Sequence, residues 1–258
     1  MDFQIISIPM LIIGSAYFFA GFIDSVCGGG GLITIPALLA AGIPASLVTG
    51  TNQAIGTPGS FTSAYTYYKN KKINFKAAAI TIPFCIAGSW IGSKVNMLIP
   101  ERFLQILMVA LIPILLVVIM AKKDIGKECL IDSLSSSHVA AASIFIGLVI
   151  GFYQGFYGPA GGTLFIIAFV FLLKLDFISA SGTTRFVVSF SSITATINYA
   201  INGRVLWIVS IAAMIFYIIG TYLGAKYAIK KGSKGVRPVM FFVIALLFIK
   251  VLTDFLAA

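Results

Sequence analysis

The chain has 258 residues, 59% of them apolar and only 10% charged, with a mean hydropathy of +1.04. A soluble domain carries about a quarter charged residues, so a soluble enzyme, a nucleic-acid-binding module and a disordered protein are excluded. The apolar residues suffice for seven or more spans of about 20 residues each, which describes an all-α polytopic membrane protein.

Much of the net charge of +10 comes from three basic clusters that lie between long uncharged runs. Lys69, Lys71, Lys72 and Lys76 form one cluster, Lys122, Lys123 and Lys127 a second, and Lys226, Lys230, Lys231, Lys234 and Arg237 a third. Such clusters are topology signals, because cytoplasmic loops retain Lys and Arg. The run from Phe3 is long and lacks a positive leader, so it reads as a first span rather than a cleaved signal. Cys27, Cys85 and Cys129 are scattered and His138 is the only histidine, so no metal and no cofactor is expected.

In chain order, apolar runs fall at 3–23, 32–43, 46–68, 75–97 and 103–121. A polar connector follows at 122–137, and further runs lie at 139–157, 163–175, 177–201, 205–225 and 238–256. Five segments, a connector and five segments divide the chain into a first membrane repeat (1–121), the connector (122–137) and a second repeat (138–258). Shifting the chain on itself by 132 residues superposes Gly50-Thr51 on Gly182-Thr183, Asn70 on Asn202, Gly88 and Gly92 on Gly220 and Gly224, and Lys94 on Lys226. Between Thr49 and Lys94 about eleven positions are identical without a gap. If each half crosses an odd number of times, the repeats are inverted, both termini lie outside, and all three basic clusters face the cytoplasm.

The segments at 32–43 and 163–175 are too short for a comfortable crossing. Each follows a glycine-rich stretch, Gly28-Gly29-Gly30-Gly31 in one half and Gly158-Pro159-Ala160-Gly161-Gly162 in the other. Helices broken at matching places in two halves mark the binding site of a transporter. A glycine turn opening a helix leaves backbone N–H groups free for an anion, although glycine also serves close helix crossing.

Beside these turns lie Thr49-Gly50-Thr51-Asn52-Gln53 and, at the same offset, Ser181-Gly182-Thr183-Thr184-Arg185. The hydroxyls could simply bond back to helix carbonyls, but that leaves Arg185 unexplained. An intramembrane arginine costs at least about 2.5 kcal/mol to insert and is a functional candidate by default. Its planar fork suits a two-oxygen anion. Asp24, just ahead of the first glycine cluster, is a candidate for proton coupling or for pairing with Arg185.

The stretch from Gly21 through Asp24, Cys27 and Gly28-Gly29-Gly30-Gly31 to Pro36, followed by Gly50-Thr51-Asn52, resembles the sulfite exporter TauE/SafE family. So do Asn202-Gly203-Arg204 and Gly220 to Lys226 in the second half. The resemblance implies a transporter of sulfur-containing anions, such as sulfite or sulfonates, in a bacterial-type inner membrane. Family members commonly carry lysine after the first GTN, where this chain has Gln53, so Arg185 holds the comparable charge alone. The expected substrate site comprises Gly29, Gly30, Thr51, Asn52, Gln53, Gly161, Gly162, Thr183, Thr184 and Arg185, with Asp24 for proton coupling. The expected partners are a small anion and the lipid bilayer, with no nucleic acid; a homodimer is compatible with this reading. Alternating access is the expected mechanism and a passive anion channel the alternative. An intramembrane enzyme lacks any Ser/His, paired-carboxylate or zinc pattern to support it.

Overall fold

A computed structural model describes residues 3–100, 103 and 129–256. The expected run at 103–121, the cluster Lys122, Lys123 and Lys127, and the two chain ends lie outside the described residues. Those residues form eight α-helices and no strand: α1 (Phe3–Cys27), α2 (Gly31–Ala40), α3 (Ala45–Lys69), α4 (Phe75–Leu98), α5 (Ser136–Phe156), α6 (Gly161–Leu172), α7 (Phe177–Ile201) and α8 (Trp207–Leu256). A single 3-10 turn, Ile131–Ser133, precedes α5 in the described part of the connector. Helix α8 is one helical stretch interrupted at Gly232, whose φ of 64° and ψ of −166° break it where the runs at 205–225 and 238–256 were expected to separate.

The helices start and stop for local reasons. Asn74 caps α4 by accepting from the Ala77 N–H, and Asp176 caps α7 by accepting from the N–H groups of Ile178 and Ser179. Asn70 and Asn202, one repeat apart, follow α3 and α7, and each returns its amide to a carbonyl four residues back. The helices α4, α5 and Trp207–Gly232 of α8 are long and apolar enough to cross a membrane. They turn Ile91, Phe145, Ile208 and Ile215 outward, a surface suited to lipid. Helices α3 and α7 carry many of the buried hydroxyls, among them Ser60, Ser63, Ser189 and Ser192.

The 132-residue offset recurs in the structure. Helices α3 and α7 begin and end 132 residues apart, as do the starts of α4 and α8. The contacts are reciprocal as well. Gly88 and Gly92 of α4 lie on Leu148 and Phe152 of α5, while Gly220 and Gly224 of α8 lie on Phe18 and Phe22 of α1. The fourth helix of each half therefore packs on the first helix of the other. Phe61 meets Phe190 and Thr57 meets Thr196, so α3 and α7 run antiparallel.

Two hydrogen bonds express the same exchange. Thr51 Oγ1 accepts from the Leu206 N–H at 3.0 Å, and Thr183 Oγ1 accepts from the Asn74 N–H at 2.9 Å. Both pairs are the same positions shifted by 132. Each threonine thus ties the turn ahead of the other half's fourth helix. Replacing either by valine leaves one backbone N–H without its partner, a loss of about 1–3 kcal/mol. Thr51→Val and Thr183→Val are expected to lower the thermal midpoint in detergent by similar amounts, with serine at either position retaining most of it.

Candidate functional site

The two glycine turns meet. Helix α1 ends at Cys27, and Gly28, with φ of 85°, turns the chain toward α2. The backbone of Gly28 lies directly against Gly162 and Thr163 at the start of α6, closer than any side chain would permit. Thr163 Oγ1 donates to the Cys27 carbonyl at 2.8 Å, and Gly31 packs on Pro159. The tips of two hairpins, α1–α2 and α5–α6, are thereby interlocked.

Next to this junction is a small polar cavity of about 40 Å³ that opens to solvent. Asp24, Arg185 and Tyr217 line it from α1, α7 and α8, and Asn52, Gln53 and Gln154 from α3 and α5. Arg185 is 1% exposed and Asp24 13%. Arg185 Nη1 donates to Asp24 Oδ2 at 2.5 Å, and the Tyr217 hydroxyl donates to the same oxygen at 2.7 Å. The other oxygen, Oδ1, accepts from the Gly30 N–H at 3.1 Å. One carboxylate thus gathers a cation, a phenol and the glycine turn.

That ion pair uses one of the three guanidinium nitrogens. Nε and Nη2 of Arg185 are buried with no hydrogen-bond partner, and Nη2 lies beside Gly162. Nε and Nη2 form the side-on edge of the guanidinium, the edge that takes two oxygens of an oxyanion in parallel. Gln53, the repeat counterpart of Arg185, carries no charge; its Nε2 donates to the Gln154 carbonyl at 2.6 Å.

A family model described as Sulfite exporter TauE/SafE matches residues 13–251. The chain belongs to the TauE/SafE family. Similar relatives include the probable membrane transporter protein ORF9 of Sinorhizobium sp, 33% identical over 93% of this chain and 90% of that protein. The probable membrane transporter protein YfcA of Escherichia coli K12 is 30% identical over 95% of this chain and 91% of its own length. A probable membrane transporter protein of Haemophilus influenzae is 28% identical over 86% of each. No solved structure matches the chain. This TauE/SafE protein is a multi-pass membrane transporter, not an enzyme.

Within this TauE/SafE protein the expected site residues divide. Asp24, Asn52, Gln53, Gly162 and Arg185 line the cavity, and Gly30 reaches it through its bond to Asp24. Gly161 stands behind, against the Gln154 side chain. Gly29 shapes the turn, its carbonyl accepting from the Leu32 N–H. Thr51 and Thr183 are absent from the lining, and their hydroxyl oxygens accept from the Leu206 and Asn74 N–H groups. Thr184 is buried, away from the lining, with its hydroxyl unpartnered.

Tyr217 and Gln154 are cavity residues that sequence reasoning passed over. Tyr217 carried one usable signal: it lies three residues before Gly220, on the α8 face that packs against α1. Asn52 is held through Oδ1, which accepts from the Tyr17 hydroxyl at 3.1 Å.

Proposed function

We propose that this protein is a secondary transporter that moves a small, sulfur-containing oxyanion, such as sulfite or an organosulfonate, across the cytoplasmic membrane by alternating access. The observation that carries this reading is the buried, unpartnered Nε/Nη2 edge of Arg185. A buried guanidinium with two unpaired donors beside a polar cavity lacks the partner that a two-oxygen anion supplies. The family description supports the choice of sulfur chemistry. Gly30, Asn52, Gln53, Gly162 and Arg185 form the anion site in this reading. Gly29, Gly161 and Thr184 shape its frame, and Thr51 and Thr183 fasten the two halves around it.

Inverted repeats of five segments, divided at 1–121, 122–137 and 138–258, accompany the proposal. Equivalent helices α3 and α7 run antiparallel, and each half lends its fourth helix to the other, as an axis lying in the membrane plane requires. Interlocked hairpin tips give such halves a common pivot.

The test is transport in proteoliposomes with labelled sulfite and methanesulfonate. A carrier saturates, and unlabelled anion on the far side accelerates entry of the label. Flux that rises linearly with concentration and ignores the far side would instead make the protein a passive anion channel.

A further inference from the structure

We infer that the anion enters this site together with one proton, and that the proton is taken by Asp24. The inference rests on the anion-site reading above and adds the coupling ion to it.

Charge must balance in this desolvated place. Arg185 and Asp24 together are neutral, and both are largely removed from solvent. A monoanion added to that pair leaves one uncompensated negative charge, which a low-dielectric site removes by protonation. The titratable groups around Asp24 show where the proton can go. On α1 these are Tyr17, whose hydroxyl donates to Asn52, and Cys27, whose thiol donates to the Ile23 carbonyl. On α3 the Tyr67 hydroxyl donates to the Ser25 carbonyl. On α8 Tyr217 donates to Asp24 itself, and on α7 Arg185 is a permanent cation. On α5 stand Tyr153, whose hydroxyl donates to the Pro159 carbonyl, and Tyr157, packed with Tyr17; helices α2 and α6 contribute no titratable side chain. All of these neighbours already hold their protons. Asp24 alone has a vacant position.

The geometry makes the two binding events depend on each other. Oδ2 of Asp24 accepts from both Arg185 Nη1 and Tyr217. The vacant lone pair is on Oδ1, which accepts from the Gly30 N–H; a proton there removes the carboxylate charge and weakens the hold of Asp24 on Arg185 Nη1 and Tyr217. The guanidinium, no longer neutralised by a carboxylate, then directs its charge to the incoming anion through Nε and Nη2. Proton and anion each prepare the site for the other, no covalent bond changes apart from the O–H, and the net charge stays at zero.

Titration calorimetry on the detergent-purified full chain tests this, with methanesulfonate in buffers of different ionisation heat. Methanesulfonate stays a monoanion throughout, so every proton counted belongs to the protein. The expected result is one proton taken up per anion bound, with Kd weakening about tenfold per pH unit once the carboxyl is ionised. Asp24→Asn should take up none, lose the pH dependence and bind more tightly at neutral pH. Anion binding by the wild type without proton uptake overturns the inference and leaves the anion site standing; that measurement needs no variant. Unchanged proton uptake in Asp24→Asn also overturns it. No binding of methanesulfonate or sulfite at any pH overturns both the anion site and its coupling.

Discussion

Arg185→Gln is expected to abolish measurable anion binding, and Arg185→Lys to weaken it strongly while keeping the charge. Truncating one partner of a desolvated, hydrogen-bonded charge pair costs about 2–5 kcal/mol, or some 30-fold or more in affinity. Lysine supplies three donors on a point charge but not the planar edge of Nε and Nη2. The single glutamine variant has a second effect. It leaves the Asp24 carboxylate, packed against Tyr217 and Gly30, without its cation, and removing one member of a buried pair costs about 3–5 kcal/mol of stability. The double variant Asp24→Asn/Arg185→Gln removes both charges and should recover most of that stability. Binding measured there separates the two roles: if the folded, neutral double variant binds sulfite or methanesulfonate with wild-type affinity, Arg185 is a structural ion-pair partner and nothing more.

The architecture was legible where it depends on local sequence. The segments expected at 46–68, 75–97 and 177–201 correspond to Ala45–Lys69, Phe75–Leu98 and Phe177–Ile201, because charges and turn residues bound each apolar run. The two short helices followed from the glycine stretches ahead of them, since no long helix survives so many breaks. Charge scarcity also pointed to Asp24 and Arg185, for a membrane interior with one arginine and one nearby acid has few ways to pair them.

What sequence could not supply was the exchange of contacts between halves. Thr51 and Thr183 look like site donors because they adjoin Asn52 and Arg185. Their partners, Leu206 and Asn74, are apart from them by more than a hundred residues and become neighbours only through the swap of fourth helices. Tyr217 was hidden for a similar reason. A tyrosine in an apolar run reads as core or lipid-facing surface, and its hydroxyl acquires a role only when α8 lies along α1 and brings it to Asp24. Gln154 depends in turn on α5 reaching α3.

The junction of hairpin tips makes the second large effect. A methyl group at Gly162 would run into Arg185 Nη2 on one side and the Gly28 backbone on the other. The flexible guanidinium can yield and the backbone cannot, so Gly162→Ala should push Arg185 off its position and weaken anion binding while the fold persists. Overpacking of this kind typically costs about 1–3 kcal/mol. Gly28→Ala should be worse, because its φ of 85° disfavours any side chain and the added atom meets only the backbone of Gly162 and Thr163. Loss of both stability and binding is expected there. Gly56 supplies the contrast for stability: it lies within α3 with open space where a Cβ would go, so alanine should hold or raise the thermal midpoint. Thermal unfolding and anion binding of the three variants together decide the matter. If Gly162→Ala keeps the thermal midpoint and the anion affinity of the parent protein, the contact between the tips does not position Arg185. The pivot and the anion site would then be separate features of the fold.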